Sequence, residues 1–169
     1  MEHHERYMRL ALAEAAAALE AGDFPVGCVL VGGDRVLTSA RRRNSAGPGA
    51  NELDHAEILA LRALLQDTPD VDCREITAYS TMEPCLMCFA TLLLSGIRRF
   101  VWAYEDVMGG GTTLSLDRLP ELYADMRVEL VPGVLRGESL VLFQKFFRCH
   151  TYWRDSSLAR YTLGQESTP

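Results

Sequence analysis

Apolar and polar positions change their period several times along the chain, and each change marks an element. From His4 to Ala21 the sequence is rich in alanine and leucine, holds no glycine or proline, and stops at Gly22, which predicts a first helix with a glycine stop. Phe24–Val31 and Arg35–Ala40 are apolar and β-branched runs around Gly32-Gly33-Asp34, a hairpin signal. Asn44–Asn51 carries Gly47, Pro48 and Gly49 and reads as a loop. Asp54 suits the N-cap of a helix reaching about Gln66, which Thr68-Pro69-Asp70 ends. Glu75–Ser80 predicts a strand, and Pro84 suits the first turn of a helix over Cys85 to about Leu94. That helix is apolar almost all round, so it is expected to be buried on several sides. A strand at Arg98–Ala103, a mobile loop at Gly109-Gly110-Gly111, a short helix at Leu119–Ala124, a strand at Arg127–Val131 and a last helix at Gly137–Phe147 complete the series. Helices alternating with strands predict a three-layer α/β domain.

Composition narrows the class. At 169 residues, 48% apolar and 24% charged, the chain reads as one soluble globular domain with a real core. No apolar run reaches the length of a membrane span, and Met1-Glu2-His3-His4-Glu5 lacks a signal-peptide layout, so no membrane contact and a cytoplasmic location are expected. The five cysteines are odd in number and two form a C-x-x-C, which points to metal use in a reducing compartment rather than to a disulfide framework. Cys28, Cys73 and Cys149 read as plain small residues. A net charge of −6 counts against a polynucleotide partner unless a local basic patch exists. Arg41-Arg42-Arg43 and the run from Lys145 through Arg148, His150 and Arg154 to Arg160 are the candidate patches, each equally readable as a solvated face.

The chemistry lies in His55-Ala56-Glu57 and Pro84-Cys85-Leu86-Met87-Cys88. One histidine and two cysteines supply three zinc ligands; a structural zinc site is closed by four protein ligands, whereas a catalytic one keeps a position for water. Cys85 and Cys88, three apart at a helix start, project from one face, where the positive helix end favours thiolate. Glu57, two residues from His55, can reach a water without replacing it and so act as a proton shuttle; as a fourth ligand it would instead close a structural site.

H-x-E followed by P-C-x-x-C is the signature of zinc deaminases. With Phe24-Pro25-Val26-Gly27-Cys28-Val29-Leu30-Val31, Asn44, His55–Leu61 and Thr81–Cys88, the chain resembles the cytidine-deaminase-like superfamily from about Tyr7 to Phe147. The likeness is strongest to bacterial tRNA adenosine deaminases and to guanine and cytosine deaminases. It implies a three-layer α/β/α fold on a central five-stranded mixed sheet, with one Zn2+ per chain on two helix N-termini. It further implies a homodimer. The chain reads as a single deaminase domain over residues 1–150, with residues 151–169 as a tail whose aromatics could fold over the site. Glu57 would move protons, and His55, Cys85 and Cys88 would hold the metal. Asn44 and the backbone at Ala56 would hold the base edge, while Phe24 and Val26 line its faces. Asn44 could instead be a turn former, and Phe24 and Val26 ordinary core, but the place of Asn44 just after the second strand favours the functional reading.

The reaction implied is hydrolytic removal of an exocyclic amine as ammonia. Two substrate classes share it: a free base, nucleoside or nucleotide, and adenosine at the tRNA wobble position. Glu83–Cys88, Ser95–Arg99 and Lys145–Arg148 look like the tRNA enzymes. Those enzymes carry a basic, glycine-containing stretch after the fourth strand, however, whereas Tyr104-Glu105-Asp106-Val107-Met108-Gly109-Gly110-Gly111-Thr112 is acidic and then neutral. Acidic net charge, the missing basic grip and the aromatic tail Tyr152-Trp153 favour the small molecule over tRNA. A non-catalytic zinc-binding interaction module is the remaining alternative, disfavoured by the presence of Glu57.

Overall fold

In the computed structural model, which describes residues 2–166, five strands form one sheet in the order β2-β1-β3-β4-β5. These are β1 (Gly27–Gly32), β2 (Arg35–Arg41), β3 (Ile76–Met82), β4 (Arg99–Tyr104) and β5 (Glu129–Val131). β1 runs antiparallel to β2 and to β3, while β3, β4 and β5 are mutually parallel. Helices α1 (Glu2–Glu20), α2 (Ala56–Asp67), α3 (Leu86–Leu94), α4 (Glu121–Ala124), α5 (Arg136–Cys149) and α6 (Ser157–Leu163) surround it.

Alternation along the strands divides the core in two. Val29 and Val31 of β1, Tyr79 of β3 and Val101 and Ala103 of β4 face α1 through Tyr7, Met8, Ala11 and Leu12. Cys28, Leu30, Ala78, Phe100 and Trp102 face the other way, onto Ala60, Leu61 and Leu64 of α2 and Phe89, Leu92 and Leu93 of α3. The result is the expected three-layer mixed α/β sandwich, with α5 supplying Leu140, Phe143, Phe146 and Phe147 to the second cluster. Gly27 permits the first layer to close: a Cβ there would stand 2.1 Å from the Ala11 carbonyl oxygen.

Several boundaries differ from those the sequence predicts. Phe24–Val26 lies outside β1; Val26 N–H turns back to the Phe24 carbonyl (2.8 Å), and Pro25 has no N–H for a ladder. The N-cap of α2 is His55 rather than Asp54, whose carboxylate instead accepts from Asn44 and Asn51. Pro84 precedes the N-cap Cys85 and is therefore not in the first turn. The glycines 109–111 serve close approach rather than a free loop: Gly109 N–H bonds Asp106 (2.9 Å), Gly111 N–H bonds the Pro84 carbonyl (2.9 Å), and a Cβ on Gly111 would meet Leu86 Cα at 2.7 Å. Helix α6 is an element the sequence reading missed, although Ser156 caps it through Ala159 N–H and Gly164 follows its end. Among the described residues, no helix is long and apolar enough to cross a membrane.

Candidate active site

Two helix starts meet at the site. His55 is the N-cap of α2 and Cys85 the N-cap of α3, and neither side chain caps its own helix. Both are turned towards each other: His55 Nδ1 is 3.6 Å from Cys85 Sγ and 3.5 Å from Cys88 Sγ. A tetrahedral metal with bonds of about 2.1 Å to nitrogen and about 2.3 Å to sulfur sets a nitrogen–sulfur spacing of roughly 3.6 Å. The three residues therefore fit one zinc ion, and their ligand atoms all lie within 4.8 Å of one another. Two thiols and one imidazole suit zinc better than calcium or magnesium, which take oxygen ligands.

Before an ion binds, the three ligands hold their protons unequally, and only Cys85 is moved towards the form that binds metal. The adjacent Cys88 thiol, helped by His55 and opposed by burial, brings the Cys85 pKa down to about 4. Cys85 and burial push Cys88 upward. Burial drives His55 towards the neutral form, but the Cys85 contact and the Glu57 charge together outweigh it and leave its pKa raised.

Glu57 stands in the first turn of α2 with 3% of its surface exposed. Ser80 of β3 donates its hydroxyl to Glu57 Oε1 at 2.8 Å, and Cys88 Sγ approaches Oε2 at 3.6 Å. Burial raises the Glu57 pKa most, against the opposing influence of His55. A carboxyl tuned upward beside a metal triad, with one oxygen fixed and the other facing the ligands, is arranged to take up and return a proton.

A cavity of about 340 Å³ opens onto this group. Its lining includes His55, Ala56, Glu57 and Cys85, the apolar Phe24, Val26, Met82 and Leu158, and the aromatic Tyr152 and Trp153. Of the residues expected to meet a base, Phe24, Val26 and Ala56 are on this wall. Asn44 is not among the lining residues; with φ of 54° it sits in a left-handed turn and donates its amide to Asp54 at 2.6 Å. The basic run at 41–43 is not a patch either: Arg41 pairs with Glu14, Arg42 is buried, and only Arg43 is exposed. Sequence reading missed Ser80, Glu52, Glu83, Asp106 and Met108, and took Arg42 only as part of a candidate basic patch. Arg42 and the last four line the cavity, while Ser80 holds Glu57. Glu83 is buried and accepts from Thr112 Oγ1 (2.5 Å) and Asp106 N–H (3.1 Å), which ties the segment after β4 to the start of α3. Position two before the C-x-x-C pair was its one available signal.

A mixed sheet carrying a histidine, two cysteines and a buried carboxylate at paired helix starts defines a zinc-dependent hydrolytic deaminase. The chain belongs to the family described as the cytidine and deoxycytidylate deaminase zinc-binding region, whose profile matches residues 1–104. It is 32% identical over 148 residues to a tRNA-specific adenosine deaminase of Bacillus subtilis, covering 88% of this chain and 91% of that one. A tRNA-specific adenosine deaminase of Agrobacterium fabrum is 30% identical, over 88% and 96% of the two chains. Among solved structures, one from a study of A-to-I editing by tRNA:A34 deaminases superposes with a TM-score of 0.70 and 28% identity, covering 81% of this chain and 98% of that one. The guanine deaminase of Nitrosomonas europaea has a TM-score of 0.68 at 21% identity, over 86% and 85% of the chains, and shares the fold.

Proposed function

We propose that this protein removes the exocyclic amine of adenosine presented in tRNA, leaving inosine and ammonia. The observation that carries this reading is likeness to tRNA-specific adenosine deaminases over nearly nine-tenths of the chain. It reverses the order in which acidic charge and an aromatic tail rank the two substrate classes.

His55, Cys85 and Cys88 would hold a zinc ion, which when bound would supply the Lewis acidity that lowers the pKa of water towards neutral pH. Glu57 takes the water proton, returns it to the ring nitrogen as the amine-bearing carbon is attacked, and assists departure of ammonia. Ser80 holds Oε1, leaving Oε2 to carry the proton. Phe24 and Val26 flank the base and exclude water, and the backbone at Ala56 meets its edge. Asn44 is assigned to the base edge by family likeness alone, since its amide is held by Asp54 and it does not line the cavity.

A second reading, deamination of a free base, nucleoside or nucleotide, is favoured by one observation: Tyr152, Trp153 and Leu158 of the tail form part of the cavity wall. On that reading residues 1–150 are the catalytic unit and the tail closes it. The two are separated by assaying a tRNA with a wobble adenosine beside a panel of small substrates, at about 50 and 200 mM salt. RNA gripped through several phosphates loses orders of magnitude in affinity over that range as counterions are released. Salt-sensitive inosine formation supports the tRNA reading. Salt-insensitive turnover of a small molecule alone supports the second. Ammonia from neither substrate class, with zinc bound, would return the chain to a non-catalytic module. A homodimer belongs to the same proposal, since Leu86 and Leu94 of α3 are 56% and 55% exposed. A monomer in sedimentation at micromolar concentration would remove it.

A further inference from the structure

Behind His55, on the side away from the thiols, a small polar group joins distant parts of the chain. With Nδ1 turned to Cys85 and Cys88, the outer nitrogen Nε2 stands 3.6 Å from Glu52 Oε2. Glu52 is 60% exposed, so burial does not fix its side chain. Two residues do. Tyr152 donates its hydroxyl to the Glu52 carboxylate, 3.0 Å from Oε1 and 2.9 Å from Oε2, across 100 residues of sequence. Arg42, only 2% exposed, reaches Oε2 with Nη2 at 3.4 Å. Arg42 is itself fixed, donating to the carbonyls of Arg43 (2.7 Å) and Asn51 (2.6 Å).

We propose that Glu52 is a positioning residue for the zinc ligand His55, and that Tyr152 latches it in place. The seating of the tail on the cavity wall is thereby coupled to the strength of the metal site. The inference rests on the reading of His55 as a ligand. A ligating imidazole keeps its proton on the outer nitrogen, and a carboxylate facing that nitrogen fixes the ring's orientation and strengthens it as a ligand; removing such a partner costs roughly 10–100-fold in metal affinity. At 3.6 Å the pair is longer than a hydrogen bond and acts as a charge contact. The Arg42 guanidinium and Tyr152 hydroxyl keep the carboxylate facing the ring although solvent reaches it. A bare surface pair between Glu52 and Arg42 would need neither Tyr152 nor the proximity of His55.

The test measures zinc affinity by competition with a chromophoric chelator, together with the absorption bands of the cobalt-substituted protein. Glu52→Ala is expected to weaken zinc binding about 10–100-fold and to shift the cobalt bands, with thermal stability of the metal-free protein unchanged. Glu52→Gln, which keeps the side-chain shape and the Tyr152 contact but not the charge, should lose nearly as much as Glu52→Ala. Tyr152→Phe should weaken zinc binding in the same direction by a smaller factor. Wild-type zinc affinity in a folded Glu52→Ala protein would overturn the proposal while leaving the ligand assignment standing. His55→Ala separates the two claims: loss of zinc there upholds the ligand, whereas retained zinc removes both.

Discussion

Ser80 on β3 donates its hydroxyl to Oε1 of Glu57 on α2, 2.8 Å away, with both residues buried. The bond sets which oxygen of the proposed proton carrier is free. Removing the carrier is the direct consequence to check. Glu57→Ala should keep its zinc and its fold, because the three ligands survive, and lose about 10²–10⁴-fold in turnover. Ammonia release near the wild-type rate would sink the role assigned to Glu57.

Ser80→Ala should be milder. It leaves Glu57 Oε1 without a donor at a buried site, a loss typically worth about 1–3 kcal/mol. The Ser80 bond also holds the Glu57 pKa down against burial, so the acid limb of the pH–rate profile should move to higher pH. An unmoved limb would show that Ser80 does not reach the reacting carboxyl.

The raised pKa of Glu57 makes a second, metal-independent prediction. Between its ordinary value of 4.5 and its higher folded value, the folded state holds more protons than the unfolded state, so this group lowers stability as pH rises through that window. Glu57→Gln has no such group. In metal-free protein, the stability of Glu57→Gln relative to wild type should therefore grow as pH rises above 4.5, measured by denaturant unfolding at several pH values. A constant difference would mean that burial does not tax this carboxylate.

Cys88→Ala should lose zinc and stability together, since one ion ties α2 to α3. Cys149 is exposed and outside the triad, so Cys149→Ala should change neither. Full zinc content in Cys88→Ala would remove it from the ligand set.

Gly111→Ala tests the contact between the segment after β4 and the start of α3. The added methyl would lie 2.7 Å from Leu86 Cα and 2.8 Å from Leu86 N, backbone atoms that cannot swing aside. A destabilisation of about 1–3 kcal/mol is expected, with weaker zinc binding because Cys85 is the neighbouring residue. Wild-type stability would show that the segment gives way freely.

The layers and the metal triad were legible because each rests on local pattern. Strand alternation and helix periodicity need only neighbours, and His55, Cys85 and Cys88 announce themselves by residue type and spacing. What stayed hidden depends on contacts between remote positions. Nothing near Glu52 in sequence points to Tyr152, a hundred residues on. Arg42 reads as one of three surface arginines until the fold buries it. Asp54 shows the opposite: it reads as a helix cap, and in the structure its carboxylate accepts from Asn44 and Asn51 instead. Helix α6 carried a serine start and a glycine stop, but seven residues give too little periodicity to separate a helix from a tail.

The placing of His55 and Cys85 at N-cap positions sets a limit on how stable this protein can become. Serine, threonine, aspartate and asparagine are the residues that stabilise a helix start, by roughly 0.5–2 kcal/mol over a non-capping residue. Neither helix takes that gain, because the side chain that would supply it is turned into the group placed to hold a metal. A search for stabilising substitutions would favour these two positions and, in accepting them, would select proteins that fold better and cannot catalyse.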